Sequence, residues 1–118
     1  MRTLDQDRAA DAISQVNNLN GVDQKKFANL CKGFPAMIIA NGLGQSLAFL
    51  NEKKESEYKK LYDVITKWLT ARNVLDKVGG DKFLKSLSES SIEEYRMATQ
   101  EALAYLQWLK RIAAGVGQ

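Results

Sequence analysis

Apolar residues recur every three or four positions along most of this chain, without sustained alternation. That period belongs to amphipathic helices rather than half-buried strands. A first helix starts near Leu4 or Asp5, with Asp5 and Asp7 at the positive end of its macrodipole. Ala9, Ala12, Ile13 and Val16 form its apolar face, and "NNLNG", Asn17 to Gly21, ends it with residues that tolerate left-handed backbone. Asp23 is placed to cap a short second helix bearing Phe27, Leu30 and Cys31, with Gly33 as its terminator. Pro35 then opens a third segment that runs to about Lys53, because a missing N–H is harmless in a first helical turn.

"EKKESEYKK", Glu52 to Lys60, reads as a charged connection. Tyr58, Leu61, Tyr62, Ile65, Trp68 and Leu69 share one face of the next helix, opposite Lys59, Lys60, Asp63, Thr66, Lys67 and Thr70. "VGGD", Val78 to Asp81, is a turn whose Asp81 is placed to cap a short helix with Phe83, Leu84 and Leu87. The last helix opens on a capping box, Ser90 with Glu93 or Ser91 with Glu94, and runs to about Ala114. The expectation is a single all-α domain over residues 1–118, a compact bundle of five or six helices.

Composition narrows the chemistry. At 118 residues, 45% hydrophobic and 26% charged, the chain is long and apolar enough to bury a core. The net charge of +3, from 17 basic and 14 acidic residues, permits phosphate contact without demanding it. Histidine is absent, which removes the commonest general base and metal ligand. The single Cys31 falls on an apolar stripe with Phe27, Leu30 and Phe34 and reads as core. No metal and no cofactor are expected. "MRTLDQDRAADA" lacks the apolar centre of a signal peptide, and Phe34 to Leu50 is too short and polar to span a bilayer. A cytoplasmic setting, with no membrane partner, is expected.

The stretch "NGLGQSLAFL", Asn41 to Leu50, holds two glycines inside a helical pattern, where each costs about 1 kcal/mol relative to Ala. No Lys follows, and the preceding run is helical, so a phosphate-binding loop does not fit. Ala36, Ala40, Gly44 and Ala48 lie four apart and form a row of small residues, a groove for a helix of this domain, another subunit or an RNA backbone. Asn41 and Gln45 flank it. The alternative is that Gly42 and Gly44 break the segment into two helices.

The carboxylates are explained by caps, dipoles and solvated connections, so no catalytic residues are assigned and an enzyme is not expected. Lys59, Lys60, Lys67, Arg72, Lys77, Lys82 and Lys85 outnumber the acids of their region and are candidates for RNA contact, against a merely solvated face. Arg72 follows the apolar face, so its head must snorkel or pair. In the last helix Arg96, Gln100, Gln107 and Arg111 form a polar stripe, edged by Thr99 and Lys110, that encloses Leu103. Tyr95, Tyr105 and Trp108 read as core anchors. Asn41, Gln45, Leu103, Gln107, Lys110 and Arg111 are the candidates for a subunit interface.

"LDQDRA" (Leu4 to Ala9), "NGLGQSLAFL", Trp68–Leu69 and "EEYRMATQEALAYLQWLKR" (Glu93 to Arg111) closely resemble, in order, the small α-helical subunit of the type III-B CRISPR effector, the Cmr complex. The segment between Lys53 and Ser90 matches less well outside Trp68–Leu69. The resemblance implies a non-catalytic subunit that stacks in several copies along the guide–target RNA channel in antiviral defence. Its implied partners are the backbone and large Cmr subunits, further copies of itself, guide RNA and target RNA. A helical adaptor or regulator acting on a protein partner is the rival reading.

Overall fold

The structure, a computed structural model, describes residues 1–75 and 82–116. These form six helices: α1 (Leu4–Asn17), α2 (Gln24–Asn41), α3 (Leu43–Glu52), α4 (Ser56–Ala71), α5 (Phe83–Ser88) and α6 (Ile92–Val116). No strand occurs among the described residues, so the all-α expectation holds. The predicted "VGGD" turn and the Asp81 cap lie outside the described residues.

α6 is the central element and packs against α1, α2 and α4. Its buried stripe is Ala98, Ala102, Tyr105, Leu106, Leu109 and Ala113, at helical spacing. The capping box at its start uses Ser91: the Ser91 hydroxyl accepts from Glu94 N–H, and the Glu94 carboxylate accepts from Ser91 N–H, both at 3.0 Å. α1 opens on a box of the same kind between Thr3 and Gln6. α1 buries Ala12 and Val16, while Ile13 is exposed. α4 buries Leu61, Tyr62, Val64, Ile65, Trp68 and Leu69, which includes most of the face read from its periodicity. It begins at Ser56, so the charged connection reduces to Lys53, Lys54 and Glu55.

The boundary expected at Gly33 and Pro35 is not there. Asp23 caps α2 as expected, accepting from Lys26 N–H at 2.9 Å, but the helix then runs through Pro35 to Asn41. A proline inside a helix costs about 3 kcal/mol. Phe27, Cys31, Phe34 and Ile38, spaced four, three and four apart, form one buried stripe that a break would split. Each large side chain so buried contributes about 1.5–3 kcal/mol, and together these exceed the local penalty. Burial of Cys31 also pushes its thiol up to about 12, as suits a core residue.

The break falls at Gly42, whose φ of 88° and ψ of 157° suit glycine almost alone. Its N–H donates to Ile38 O at 2.7 Å and its carbonyl accepts from Ser46 N–H at 3.1 Å. One residue therefore closes α2 and opens α3. Gly44 answers to a different demand. Its N–H donates to the Tyr95 hydroxyl at 2.8 Å, and a Cβ there would stand 3.2 Å from that oxygen. The predicted row of small residues is therefore not one continuous helix row. Ala36, Ala40 and Ala48 are exposed, so no helix of this domain covers them, and within the domain only Gly44 is closely approached.

α1, α4 and α6 meet at Glu101. Arg8 grips its carboxylate with two bonds, Nε to Oε2 at 2.7 Å and Nη2 to Oε1 at 2.8 Å. The Trp68 indole N–H adds a third at 2.9 Å. The side chains of Arg8 and Glu101 are 17% and 11% exposed, so the pair is largely withdrawn from water. Desolvation opposes ionisation of Glu101, but the bonds from Arg8 and Trp68 and the charges of Arg8 and Arg72 outweigh it and hold the carboxyl below its ordinary value. Trp68 stacks on Tyr105 at 5.0 Å, and the Tyr105 hydroxyl donates to Asp11 at 2.6 Å. Asp5 accepts from both Arg8 and the Trp108 indole, at 3.2 and 2.9 Å.

Gly42→Ala should lower stability by about 1–3 kcal/mol, because Ala is strained at this φ and ψ. Gly33→Ala should raise it by about 0.5–1 kcal/mol, since a Cβ there meets open space inside a helix. Urea denaturation followed by circular dichroism reads both signs. Glu101→Gln should cost about 2–3 kcal/mol at pH 7, less than the roughly 3–5 of a fully buried broken pair because some exposure remains. With its folded pKa lowered, Glu101 stabilises fully above the ordinary carboxylate pKa. The gap between wild type and Glu101→Gln should therefore close as pH falls from that value through the lower folded one. Denaturation midpoints between pH 7 and pH 3, set by about 4.3 for free Glu, check this.

Candidate nucleic-acid and subunit interfaces

The outer face of α4 carries Lys60, Asp63, Thr66, Lys67 and Thr70 along a groove of about 590 Å3 that Gln15 of α1 also lines. The Lys60 ammonium reaches Gln15 Oε1 at 3.4 Å, and that of Lys59 reaches Asn51 O at 3.4 Å. The hydroxyls of Thr66 and Thr70 donate back to the carbonyls of Tyr62 and Thr66, at 2.8 and 2.7 Å. They therefore present only lone pairs to a visitor. Arg72 resolves its awkward position on the apolar face by laying its guanidinium 5.8 Å from the centre of the Trp68 ring. Lys67 is exposed and free of side-chain partners among the described residues.

The predicted basic surface is therefore divided. Lys59, Lys60, Lys67 and Arg72 belong to α4 and its end, whereas Lys82 and Lys85 are exposed on α5 and its cap, and α5 packs against α3. Lys77 lies outside the described residues. Asp63 shares the α4 groove with Lys60 and Lys67 and weakens its positive potential.

The predicted interface residues fall into two places. Asn41 and Gln45 stand on either side of the Gly42 break, yet line one groove of about 660 Å3 with Met37, Ser46, Ala48, Phe49 and Glu52. Ser46 is buried there and its hydroxyl has no partner among the described residues. Leu103, Gln107, Lys110 and Arg111 follow one stripe of α6. Leu103 is half-buried against the core rather than free, while Gln107 and Arg111 are exposed.

Lys110 and Arg111 also meet residues that the sequence did not single out. α2 and α6 run antiparallel: Gly44, just beyond α2, meets Tyr95 near the start of α6, while the first half of α2 faces the end of α6. Between those ends lies a groove of about 380 Å3, lined by Lys25, Ala28, Asn29 and Lys32 from α2 and Lys110, Arg111 and Ala114 from α6. No carboxylate lines it. Lys25 and Lys32, seven apart on one helix face, were the available signal. Their alignment with Lys110 and Arg111 is a tertiary fact.

No group of three or more acidic or Cys residues among the described residues is placed to hold a metal ion. No helix among the described residues is long and apolar enough to cross a membrane.

Three comparisons bear on what this architecture serves. A solved structure of a CRISPR-associated Cmr5 family protein from Thermus thermophilus superposes with a TM-score of 0.81 over 100% of each chain, at 24% identity, and so shares the fold. The CRISPR system Cmr subunit Cmr5 of Thermus thermophilus is 29% identical across 96% of this chain and 95% of its own length. The family model described as "CRISPR-associated protein (Cas_Cmr5)" matches residues 4–116, from the first turn of α1 to the last of α6. With a match of that extent, the chain belongs to the Cmr5 family of CRISPR-associated proteins.

Proposed function

We propose that this chain is the non-catalytic small subunit of a type III-B CRISPR ribonucleoprotein. In this reading several copies stack along the guide–target channel in the cytoplasm, beside the backbone and large subunits, and touch guide or target RNA through its backbone. The observation that carries the proposal is the family match over residues 4–116. The chemistry of the chain agrees with it: histidine is absent, and the partly buried carboxylates of Asp11 and Glu101 and the capping one of Glu94 serve interhelical bonds and a cap.

The physical role follows from how RNA-guided complexes divide their labour. Base pairing reads sequence, and protein reads backbone and shape. Lys67 on the outer face of α4, and the exposed Arg72 just past its end, are suited to phosphates, giving salt-dependent contact without base preference. A net charge of +3 supplies little affinity to one isolated copy. Stacked copies multiply weak contacts along one strand.

Lys67→Glu combined with Arg72→Glu should weaken target-RNA retention by the assembled complex and flatten its salt dependence by about one unit of slope per lost contact. Filter binding at matched salt measures this. Lys67 is exposed, so that reversal alone should move stability by less than about 0.5 kcal/mol. Unchanged retention would remove α4 from the RNA path. Leu103→Arg, checked for native helicity, should lower the number of small subunits per purified complex. Full occupancy in native mass spectrometry would show that Leu103 serves the core alone. Co-purification of the native chain with some other partner, and with no guide RNA, would favour a helical adaptor instead.

A further inference from the structure

The groove between α2 and α6 concentrates positive charge that the rest of the chain leaves uncompensated. Lys25, Lys32, Lys110 and Arg111 line it, and none has a side-chain hydrogen bond or ion pair among the described residues. Elsewhere several cations are engaged, and Lys67, though free, shares its groove with Asp63. Arg2, Arg8 and Arg96 pair with Asp7, Glu101 and Glu93, Lys60 meets Gln15, and Lys53 and Arg72 sit over aromatic rings. Four like charges around a concavity repel one another and focus an attractive field on anions.

The apolar part of the groove decides which anion. Ala28, half-buried, and Ala114, exposed, add methyl groups to the lining, so an occupant covers apolar surface as well as supplying negative charge. A nucleic-acid strand would have only base faces for that task, and these stack on aromatic rings, none of which lines the groove. A protein helix has aliphatic side chains. Lys25 and Lys32 are separated by two helical turns, about 10.5 Å along α2. Carboxylates seven residues apart on a packed helix match that separation, and an apolar residue between them reaches the alanines.

A second copy of this chain is a poor source of that pattern. In its described helices, two acids seven apart occur as Glu94 and Glu101, and Glu101 is held by Arg8 and Trp68. We infer that the α2–α6 groove docks an acidic amphipathic helix of a different protein chain, with carboxylates on Lys25, Lys32, Lys110 and Arg111 and an apolar side chain on Ala28 and Ala114. The inference names a partner surface beyond the RNA contact proposed for α4. Its first test uses the isolated chain and needs no assembly.

The probe is a synthetic alanine-based helical peptide with Glu at positions i and i+7 and Leu between them. Titrated into the isotopically labelled full chain, it should give saturable amide shifts at Ala28 and Ala114. Lys32→Glu with Arg111→Glu, both exposed positions, should weaken binding about tenfold or more while leaving the helical spectrum unchanged. No saturable shift, or an equal response to oligouridylate of the same charge, would overturn the inference. In the purified complex, benzoylphenylalanine at Asn29 should crosslink to an acidic helical segment of another subunit. Crosslinking to RNA or to a second copy of this chain would also overturn it. Failure of the chain to join the complex would count against the proposed function and leave the peptide result standing.

Discussion

A carboxylate on the central helix of a small bundle sets the terms for its neighbours. Glu101 lies where α1, α4 and α6 converge, largely out of water. An ionised group in that position is expensive unless its oxygens are bonded and its charge answered. Arg8 answers the charge from α1 and also bonds both oxygens, and Trp68 supplies a further donor from α4. Those bonds fix which turn of α1 and which turn of α4 meet α6. Asp11 on Tyr105 and Asp5 on Trp108 repeat the demand one turn to either side of Arg8 in α1, and one and two turns beyond Glu101 in α6. Apolar stripes of alanine, valine and leucine would tolerate sliding by a turn. The polar contacts do not.

The helices themselves were legible because their apolar faces obey one period. α4 and α6 show it plainly, and Asp5 and Asp23 stand where a first turn and a cap require them. Gly33 and Pro35 misled because both are local punctuation, whereas the stripe from Phe27 to Ile38 is a tertiary commitment and outweighs them. The small-residue row misled for the opposite reason. It presumed a continuous helix, and one backbone conformation at Gly42 removes that premise.

The candidate surfaces were legible only in part. Lys60 and Lys67 do share a groove, as two residues seven apart on one helix must, but Lys82 and Lys85 ride on an element anchored to α3. Arg72 was readable as an anomaly, and the ring of Trp68 supplies its reason. The α2–α6 groove was out of reach, because its two halves come from helices far apart in the chain. Family membership, by contrast, was legible from short motifs. Several of their residues hold the architecture together: Arg8 in the first, Gly42 and Gly44 in the second, Trp68, then Tyr95, Glu101 and Tyr105 in the last.

The pairing of the first helix with the last has a consequence for how the protein is made. As α1 leaves the ribosome, neither Glu101 nor Trp108 has been synthesised, so Arg8 and Asp5 wait for partners more than ninety positions downstream. α2 depends on α6 in the same way. Emerging intermediates therefore leave the stripe of α1, and the part of α2 that faces α6, uncovered until α6 has emerged, and the bundle closes in a late step dominated by distant contacts. Vectorial synthesis leaves this chain's apolar faces uncovered longest at its beginning, where early helices have most need of chaperones or of prompt assembly.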